Sequence, residues 1–203
     1  MVHHDDDLLI VDKPSGLLSV PGKAKHHADC LEARVKAAFS NALLIHRLDL
    51  DTSGIMVFAM NRAAQRHLGL QFERRHIEKR YVARVAGRLV TDIGQIDLPL
   101  ICDWPNRPLQ KVDWDVGKVA QTRFEVLSHE ENATRMALHP KTGRSHQLRV
   151  HCLAIGHPIL GDPFYAPAGV LAQADRLQLH AESLSLFHPN GGARLSFSVP
   201  VPF

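Results

Sequence analysis

Hydrophobic and polar positions follow two different periods along this chain, and together they predict a mixture of strands and helices. Short apolar runs bounded by Gly, Pro and Asp are typical of strands. They occupy residues 7–11, 42–45, 55–59, 79–85, 96–101, 121–127, 134–138, 177–181 and 195–199. Apolar residues at helical spacing predict helices over residues 30–39, 62–75 and about 145–154. The pattern therefore favours an α+β protein (mixed α/β) built largely from short strands.

Side chains that can accept hydrogen bonds from free amides indicate where the helices begin. Asp29 is expected to cap the first helix and Asn61 the second, while Thr142 or Ser145 is expected to cap the third. In the strand that follows the second helix, Tyr81 should face the core and the neighbouring arginines should face away, because side chains alternate along a strand.

The most informative stretch is the connection between two apolar runs, residues 45–54, Ile-His-Arg-Leu-Asp-Leu-Asp-Thr-Ser-Gly. Its Thr-Ser-Gly end has turn chemistry, and Gly54 can adopt a positive φ without steric cost. Charged side chains on such a connection lie at the edge of the core, where partial burial can shift pKa values. Asp49 and Asp51 either bond turn amides or take part in chemistry, and residue types alone leave both possibilities open.

Composition narrows the class of protein only modestly. With 203 residues, 45% hydrophobic and 22% charged, the chain has the balance of a globular protein, and its net charge of +3 is weak evidence for an anionic partner. No apolar run approaches the length of a membrane span, and the acidic N-terminus does not resemble a secretory signal. Three widely separated cysteines argue against a disulfide framework or a zinc site and favour a reducing cytoplasm. The fourteen histidines are scattered, so we expect no metal site.

Basic residues are concentrated in one segment, at positions 62, 66, 74, 75, 79, 80 and 84. Such a run either forms a solvated face or contacts phosphates. A second candidate surface is the proline-rich loop at residues 103–108, where Trp104 could stack on a base and Arg107 could contact a phosphate.

Several strings resemble motifs of the RluA family of pseudouridine synthases, in that family's order and over residues 7–203. His-Arg-Leu-Asp followed by Thr-Ser-Gly, at residues 46–49 and 52–54, resembles the active-site signature. Thr-Gly-Arg-Ser-His-Gln-Leu-Arg, at residues 142–149, is similar to the second main motif. Asp-Lys-Pro-Ser-Gly-Leu at residues 12–17 resembles a motif expected to shape the floor beneath the catalytic loop. A fourth string, Lys-Arg-Tyr-Val-Ala at residues 79–83, resembles the Lys-x-Tyr-x-Ala string of the same family.

The resemblance implies a fold and an organisation. We expect the pseudouridine synthase catalytic fold, with a largely antiparallel central sheet, flanking helices and a central active-site cleft. Residues 1–203 should form a single catalytic domain without a separate N-terminal RNA-binding domain. The resemblance also implies a cytoplasmic monomer that needs no cofactor and no obligatory protein partner.

The resemblance further assigns roles to individual residues. Asp49 corresponds to the catalytic carboxylate, Arg144 to the residue that forms a salt bridge with that carboxylate, and Tyr81 to the residue that stacks on the target base. Without the resemblance, Tyr81 would be interpreted as a core residue. Arg47 corresponds to the residue that fills the gap left by the flipped base. The substrate-binding set that we expect comprises Arg47, His46, Leu148, Arg149, Arg62, Arg80, Trp104 and Arg107.

The implied reaction is the isomerisation of uridine to pseudouridine. Residues 97–108 are especially similar to a family member that acts on stem-loops of large-subunit (23S) ribosomal RNA and on tRNA anticodon loops, so both are expected substrates. One alternative is a synthase restricted to a single ribosomal RNA site, and another is a non-catalytic RNA-binding protein. A phosphatase that uses an Asp-x-Asp motif is disfavoured, because His46 and Arg47 stand where that chemistry expects an apolar strand.

Overall fold

The computed structural model describes residues 1–22 and 28–203, and the chain forms two compact units in it. Unit 1 comprises Met1–Lys79 and His180–Pro202, and unit 2 comprises Arg80–Leu179 together with Phe203. That residues 1–203 act as one catalytic domain stays a prediction.

Strands make up most of the regular structure in the described residues. In chain order they are β1 (His3–His4), β2 (Leu8–Lys13), β3 (Leu43–Leu44), β4 (Ser53–Ala59), β5 (Glu78–Ala86), β6 (Ile93–Asp97), β7 (Leu100–Cys102), β8 (Gln110–Val112), β9 (Gln121–His129), β10 (Ala133–Pro140), β11 (Leu179–Phe187) and β12 (Arg194–Ser198). The helices are α1 (Leu31–Ala38), α2 (Arg62–Glu73), α3 (Gln147–Ala154) and α4 (Ala168–Leu171), and Trp104–Asn106 forms a 3-10 turn.

Unit 1 is built around β4, which is buried along its whole length. β2 and β3 pair with β4 in antiparallel fashion, β1 extends β2, and β12 extends β11. β11 instead runs parallel to β4, with Ala181 opposite Gly54. Ile55 and Val57 of β4 pack in one core with Ala64 and Leu68 of α2. This core supports the segment that leads into β4, which contains Asp49.

Unit 2 contains four strands in the order β5, β10, β9, β6, all antiparallel, and a separate hairpin of β7 and β8. Its core packs Ala83 and Val85 of β5 against Met136 and Leu138 of β10, and Leu148 of α3 joins them. The prediction of an α+β protein with largely antiparallel strands is confirmed.

Several predicted strands differ in their extent; the run at residues 177–181, for example, begins at Leu179 and continues to Phe187 as β11. The run at residues 96–101 is not one strand, since β6 ends at Asp97 and β7 begins at Leu100. Pro99 lies in the break, because a proline has no N–H to donate to a ladder. The run at residues 42–45 pairs only through Leu43–Leu44.

The predicted cap of α2 is confirmed, and that of α1 is wrong. Asn61 Oδ1 accepts a hydrogen bond from the N–H of Ala64 at 2.8 Å. At α1 the N-cap is Cys30, whose Sγ accepts from the N–H of Ala33 at 3.4 Å. Asp29 lies one residue too early, and its carboxylate binds Arg34 instead.

Neither predicted cap of α3 is correct. The N-cap is His146, in the left-handed region at φ 53°, and its side chain makes no capping bond. The hydroxyl of Thr142 donates to Gln147 Oε1 at 2.8 Å. Gln147 Oε1 also accepts from the N–H of Arg144 at 3.0 Å, so the first residue of α3 organises the turn that precedes it.

Candidate active site

Asp49 lies on the connection between β3 and β4, at the boundary of core and solvent. Its own side chain is half-buried, while Leu48 before it is 7% exposed and Leu50 after it is 42% exposed. A carboxylate in such a place can reach a ligand from solvent and still be positioned by packed neighbours.

The last residue of β2 and the segment that follows it hold the main chain on both sides of Asp49. Ser19 Oγ donates to the carbonyl oxygen of Leu48 at 2.6 Å and accepts from the N–H of the same residue at 3.0 Å. Lys13 Nζ donates to the carbonyl oxygen of Leu50 at 2.9 Å. Both residues that flank Asp49 are therefore tied to residues 13–19.

Lys13 is the most deeply buried part of this support, with none of its surface exposed. Its ammonium group also donates to the carbonyl oxygens of Pro14, at 2.9 Å, and of Leu17, at 2.7 Å. Three carbonyl acceptors offset the cost of burying the charge. Ser15 Oγ adds a bond to the carbonyl oxygen of Asp51 at 2.7 Å. The prediction that residues 12–17 form a floor agrees with these contacts, which tie Lys13 and Ser15 to the loop of Asp49.

His46 anchors the loop to β4. Its Nε2 accepts from the N–H of Val57 at 3.1 Å, and its ring centroid lies 4.9 Å from that of Phe72. Burial, reinforced by the positive charge of Lys79, lowers the pKa of His46 to about 3. The imidazole is therefore neutral at pH 7, with the lone pair that this bond requires. Arg47, the next residue, is exposed.

Gly54 has φ 112°, so the predicted positive φ is confirmed. The predicted turn at residues 52–54 is wrong in its last two residues, since Ser53 and Gly54 already belong to β4. A Cβ at Gly54 would overlap the main chain of Ala181, the partner residue in β11. The glycine thus permits a close approach of two strands directly after the loop of Asp49.

In unit 2, Arg144 is exposed, and its Nε donates to the carbonyl oxygen of Val119 at 3.1 Å. The turn that carries it is held by Gln147, whose Nε2 donates to Thr122 Oγ1 at 3.0 Å. Because the turn is fixed from within the unit, the guanidinium projects from a rigid base.

The other two predicted residues of this motif do not fit a direct contact with substrate. Arg149 is 1% exposed, and its Nε and Nη2 bind the carboxylate of Asp162 at 2.8 and 2.5 Å. Leu148 is 7% exposed and belongs to the core of unit 2. We therefore correct both assignments, because a buried side chain that is occupied within the protein does not meet a ligand from solvent.

Tyr81 packs against the core of unit 2, as its position in the strand predicted, yet it remains half-buried rather than buried. It lies opposite Leu138 in the antiparallel register of β5 and β10. The side chain of Arg80, the residue before Tyr81, lies beside Glu125, with its Nη2 3.9 Å from Glu125 Oε1.

Two surfaces carry the remaining predicted contacts. Trp104, 65% exposed, lies between β7 and β8, and the guanidinium carbon of Arg107 is 4.4 Å from the centroid of its ring. Arg62 is exposed at the start of α2, where Nη1 donates to Gln65 Oε1 at 3.1 Å. An indole and two cations at the surface are suited to bases and phosphates.

Sequence reasoning missed the hydroxyl of Tyr165. It accepts from the N–H of Gln110 in β8 at 2.9 Å and lies 2.7 Å from His146 Nδ1. It thereby links the hairpin that holds Trp104 to the residue before α3. A lone tyrosine in a loop has no pattern that would predict these partners. For Ser19 a signal existed, since it is a polar residue between Leu18 and Val20, and Lys13 belongs to the string at residues 12–17 that was expected to shape the floor.

Across residues 1–22 and 28–203, no set of three or more His, Cys, Asp or Glu side chains is arranged to hold a metal ion. Over those same residues, no helix has the length and apolar character needed to cross a membrane.

Comparison with known proteins finds similarity over the whole chain. The profile of a family described as RNA pseudouridylate synthase matches residues 7–154. A dual-specificity RNA pseudouridine synthase RluA of Yersinia pestis is 52% identical over 204 residues, covering 100% of this chain and 99% of that protein. The protein of the same name from Escherichia coli K12 is 51% identical, covering 100% of this chain and 93% of that protein.

Solved structures show the same similarity. Human RNA Pseudouridylate Synthase Domain Containing 1 superposes with a TM-score of 0.83 at 27% identity, covering 100% of this chain and 83% of that one. Human RNA Pseudouridylate Synthase Domain Containing 4 gives a TM-score of 0.79 at 26% identity, covering 99% of this chain and 88% of that one. The similarity therefore extends to both units.

Proposed function

The chain belongs to the RNA pseudouridylate synthase family of isomerases, and from this premise we propose that it converts uridine to pseudouridine in RNA stem-loops, with Asp49 as its catalytic carboxylate. The observation that carries the assignment is the support of Asp49. This half-buried residue of the His-Arg-Leu-Asp string has its neighbours on both sides tied by Ser19 and Lys13.

The bonds that break and form in this reaction determine what the site must do. The bond between N1 of uracil and C1′ of ribose breaks, the base turns, and C5 forms a new bond to C1′. C5 loses its proton and N1 gains one, so the change is redox-neutral. A stacked base cannot turn in place, so the nucleotide has to leave the stack first.

Asp49 is suited to this chemistry because an ionised carboxylate can act as a nucleophile or as a base at the sugar. We assign Arg144 the permanent positive charge that favours the ionised form of the carboxylate, since a guanidinium does not lose its proton at neutral pH. We assign Tyr81 the wall against which the uracil ring lies.

RNA binding is proposed for four arginines and for the exposed indole of Trp104. Arg47 is assigned to the space vacated by the flipped base. Arg62, Arg80 and Arg107 are assigned to phosphates, and Trp104 to stacking. Affinity that rests on phosphate contacts falls steeply as salt rises.

For substrates, we propose stem-loops of large-subunit ribosomal RNA and tRNA anticodon stem-loops. Two relatives of nearly equal length carry "dual-specificity" in their names, which supports more than one RNA target. Short loops suit sequence-specific recognition because their unpaired bases can be splayed out. We further propose that the chain acts as a monomer in the cytoplasm, without a protein partner.

The test uses the two isolated stem-loops labelled with tritium at C5 of uridine, because formation of the C5–C1′ bond releases that tritium. The full chain should release label from both RNAs. Asp49→Asn should bind both but release none, since the change keeps the shape and removes the charge. Asp51→Asn is the matched control, a neighbouring carboxylate to which we assign no role, and it should remain active.

Each other outcome points to a different conclusion. Binding without release by the unmodified chain would support a non-catalytic RNA-binding protein. Release from the ribosomal stem-loop alone would support a synthase restricted to one ribosomal RNA site. Release by Asp49→Asn at a rate within tenfold of the unmodified chain would overturn the role of Asp49.

A further inference from the structure

Ser19 binds both main-chain polar groups of a single residue. Its Oγ donates to the carbonyl oxygen of Leu48 at 2.6 Å and accepts from the N–H of Leu48 at 3.0 Å. The hydroxyl is 3.5 Å from the sulfur of Met56 in β4, and Ser19 itself is 3% exposed. A hydroxyl has one proton to donate and lone pairs to accept with, so one buried side chain satisfies the donor and the acceptor of Leu48.

The orientation of the peptide group that enters Asp49 depends on this contact. The carbonyl of Leu48 belongs to the peptide plane that it shares with the nitrogen of Asp49, and Ser19 holds that carbonyl in one direction. Beyond Asp49, the carbonyl oxygen of Leu50 accepts from Lys13 Nζ at 2.9 Å. That carbonyl belongs to the peptide group between Leu50 and Asp51, so the peptide group that enters Asp49 and the one that leaves Leu50 are both held, which restricts the main chain around Asp49.

Resting on the role proposed above for Asp49, we infer that Ser19 is a positioning residue for catalysis, which acts through the main chain of Leu48 to aim the carboxylate of Asp49. The gain from positioning is large in general, since a displacement of about 1 Å at a reacting group can reduce a rate by about a hundredfold. Ser19 would therefore influence the rate of reaction on bound RNA, and its effect on RNA affinity would be small.

The competing explanation is that Ser19 only satisfies two buried polar groups, which any folded protein must do. Unit 1 offers a matched comparison. Gln71, 4% exposed, likewise binds both main-chain groups of one residue, donating to the carbonyl oxygen of Phe187 at 2.7 Å and accepting from its N–H at 2.8 Å. Gln71 uses two atoms, Nε2 and Oε1, where Ser19 uses one, but the main-chain groups that are satisfied are the same, and Phe187 adjoins no residue to which we assign a catalytic role.

The experiment compares Ser19→Ala with Gln71→Ala in the full chain, using single-turnover release of tritium from a bound stem-loop, the Kd for that RNA, and the thermal midpoint. Both variants should lose stability. Ser19→Ala should lower the single-turnover rate by about tenfold or more with little change in Kd, whereas Gln71→Ala should stay within about twofold of the unmodified chain. Ser19→Thr, which keeps the hydroxyl, should recover most of the rate.

Ser19→Cys is included because it keeps an atom at the γ position, which alanine lacks, and exchanges the hydroxyl for a thiol that forms weaker hydrogen bonds. If Ser19→Ala does not fold, the thiol variant carries the test with the same expected direction. Equal rates for the Ser19 and Gln71 variants would overturn the inference while leaving the proposed function intact. An unmodified chain that binds the RNA without releasing tritium would overturn the proposed function, and the inference with it.

Discussion

Arg149 and Asp162 form a two-point ion pair that is almost completely withdrawn from solvent, with 1% and 0% of the side chains exposed. Asp162 Oδ1 also accepts from the N–H groups of Phe164 and Tyr165, at 2.9 and 3.2 Å. The pair therefore joins α3 to the loop that carries Tyr165, whose hydroxyl binds the N–H of Gln110.

Replacement of Asp162 should be strongly destabilising. Asp162→Ala would leave the guanidinium of Arg149 buried without its partner, which costs about 3–5 kcal/mol of unfolding free energy. Urea unfolding of the full chain measures this loss. Glu130→Ala is the control in the same unit, because Glu130 also binds an arginine, Arg84, through two points but at a more exposed site. This variant should lose about 1 kcal/mol of unfolding free energy or less. Similar losses for the two variants would contradict the argument from burial.

Gly54 and Gly69 should respond to alanine with opposite signs. Gly54→Ala places a Cβ against the main chain of Ala181 at a positive φ and should cost about 2 kcal/mol or more. Gly69 lies on the exposed face of α2 with nothing near the added methyl, so Gly69→Ala should stabilise by about 0.5–1 kcal/mol. Both changes lie in unit 1 and are compared by thermal unfolding. A stable Gly54→Ala protein would mean that β4 and β11 can separate without cost.

Replacing Arg144 by either Ala or Lys should lower the rate of the reaction. Arg144→Ala should lower the single-turnover rate by about a hundredfold, as does loss of a charged group that stabilises a reacting centre. Arg144→Lys should recover little, because a Lys keeps the charge but lacks the planar fork. Lys141→Ala removes an exposed positive charge from the same turn and should leave the rate unchanged. A fully active Arg144→Lys enzyme would show that charge alone is required.

A second charged cluster should make the stability of unit 1 depend on pH. Asp5 Oδ2 lies 2.6 Å from His3 Nε2 and 3.2 Å from His188 Nε2. Burial alone would raise the pKa of Asp5, but hydrogen bonds from His3, from two main-chain N–H groups and from His188 lower it well below its ordinary 3.8. Burial lowers the pKa of His188, but the carbonyl oxygen of Asn190 and the carboxylates of Asp5 and Asp7 raise it above its ordinary 6.5.

The two shifts define the range of pH in which the cluster stabilises the fold. The lowered pKa of Asp5 contributes stability above about pH 3.8, and this is lost as the pH falls through the folded value. The raised pKa of His188 contributes below about pH 6.5, and this is lost as the pH rises through the folded value. Replacing both, Asp5→Asn with His188→Gln, should therefore cost more stability at pH 5 than at pH 8.5 in urea unfolding. An equal cost at the two pH values would contradict the linkage.

Much of the fold could be predicted from the chain because its signals are local. The alternation that places Tyr81 on the core face needs only the period of a strand, and the cap of α2 needs only Asn61 and an amide three residues away. Where prediction failed, a different side chain nearby in the sequence took the place of the expected partner. Asp29 was drawn to Arg34, and the start of α3 was organised by the side chain of Gln147 rather than by a capping hydroxyl.

For the candidate site, the motifs around Asp49 and Arg144 indicated a chemistry only through their resemblance to a known family, because residue types alone left the role of Asp49 open. The support of Asp49 was decided only by the tertiary structure. Ser19 and Leu48 are 29 positions apart, and Lys13 and Leu50 are 37 apart. Each bond joins a side chain to a main-chain carbonyl, a group that every residue carries. Residue type therefore does not identify the acceptor, and only the packing that brings residues 13–19 beneath the loop selects it.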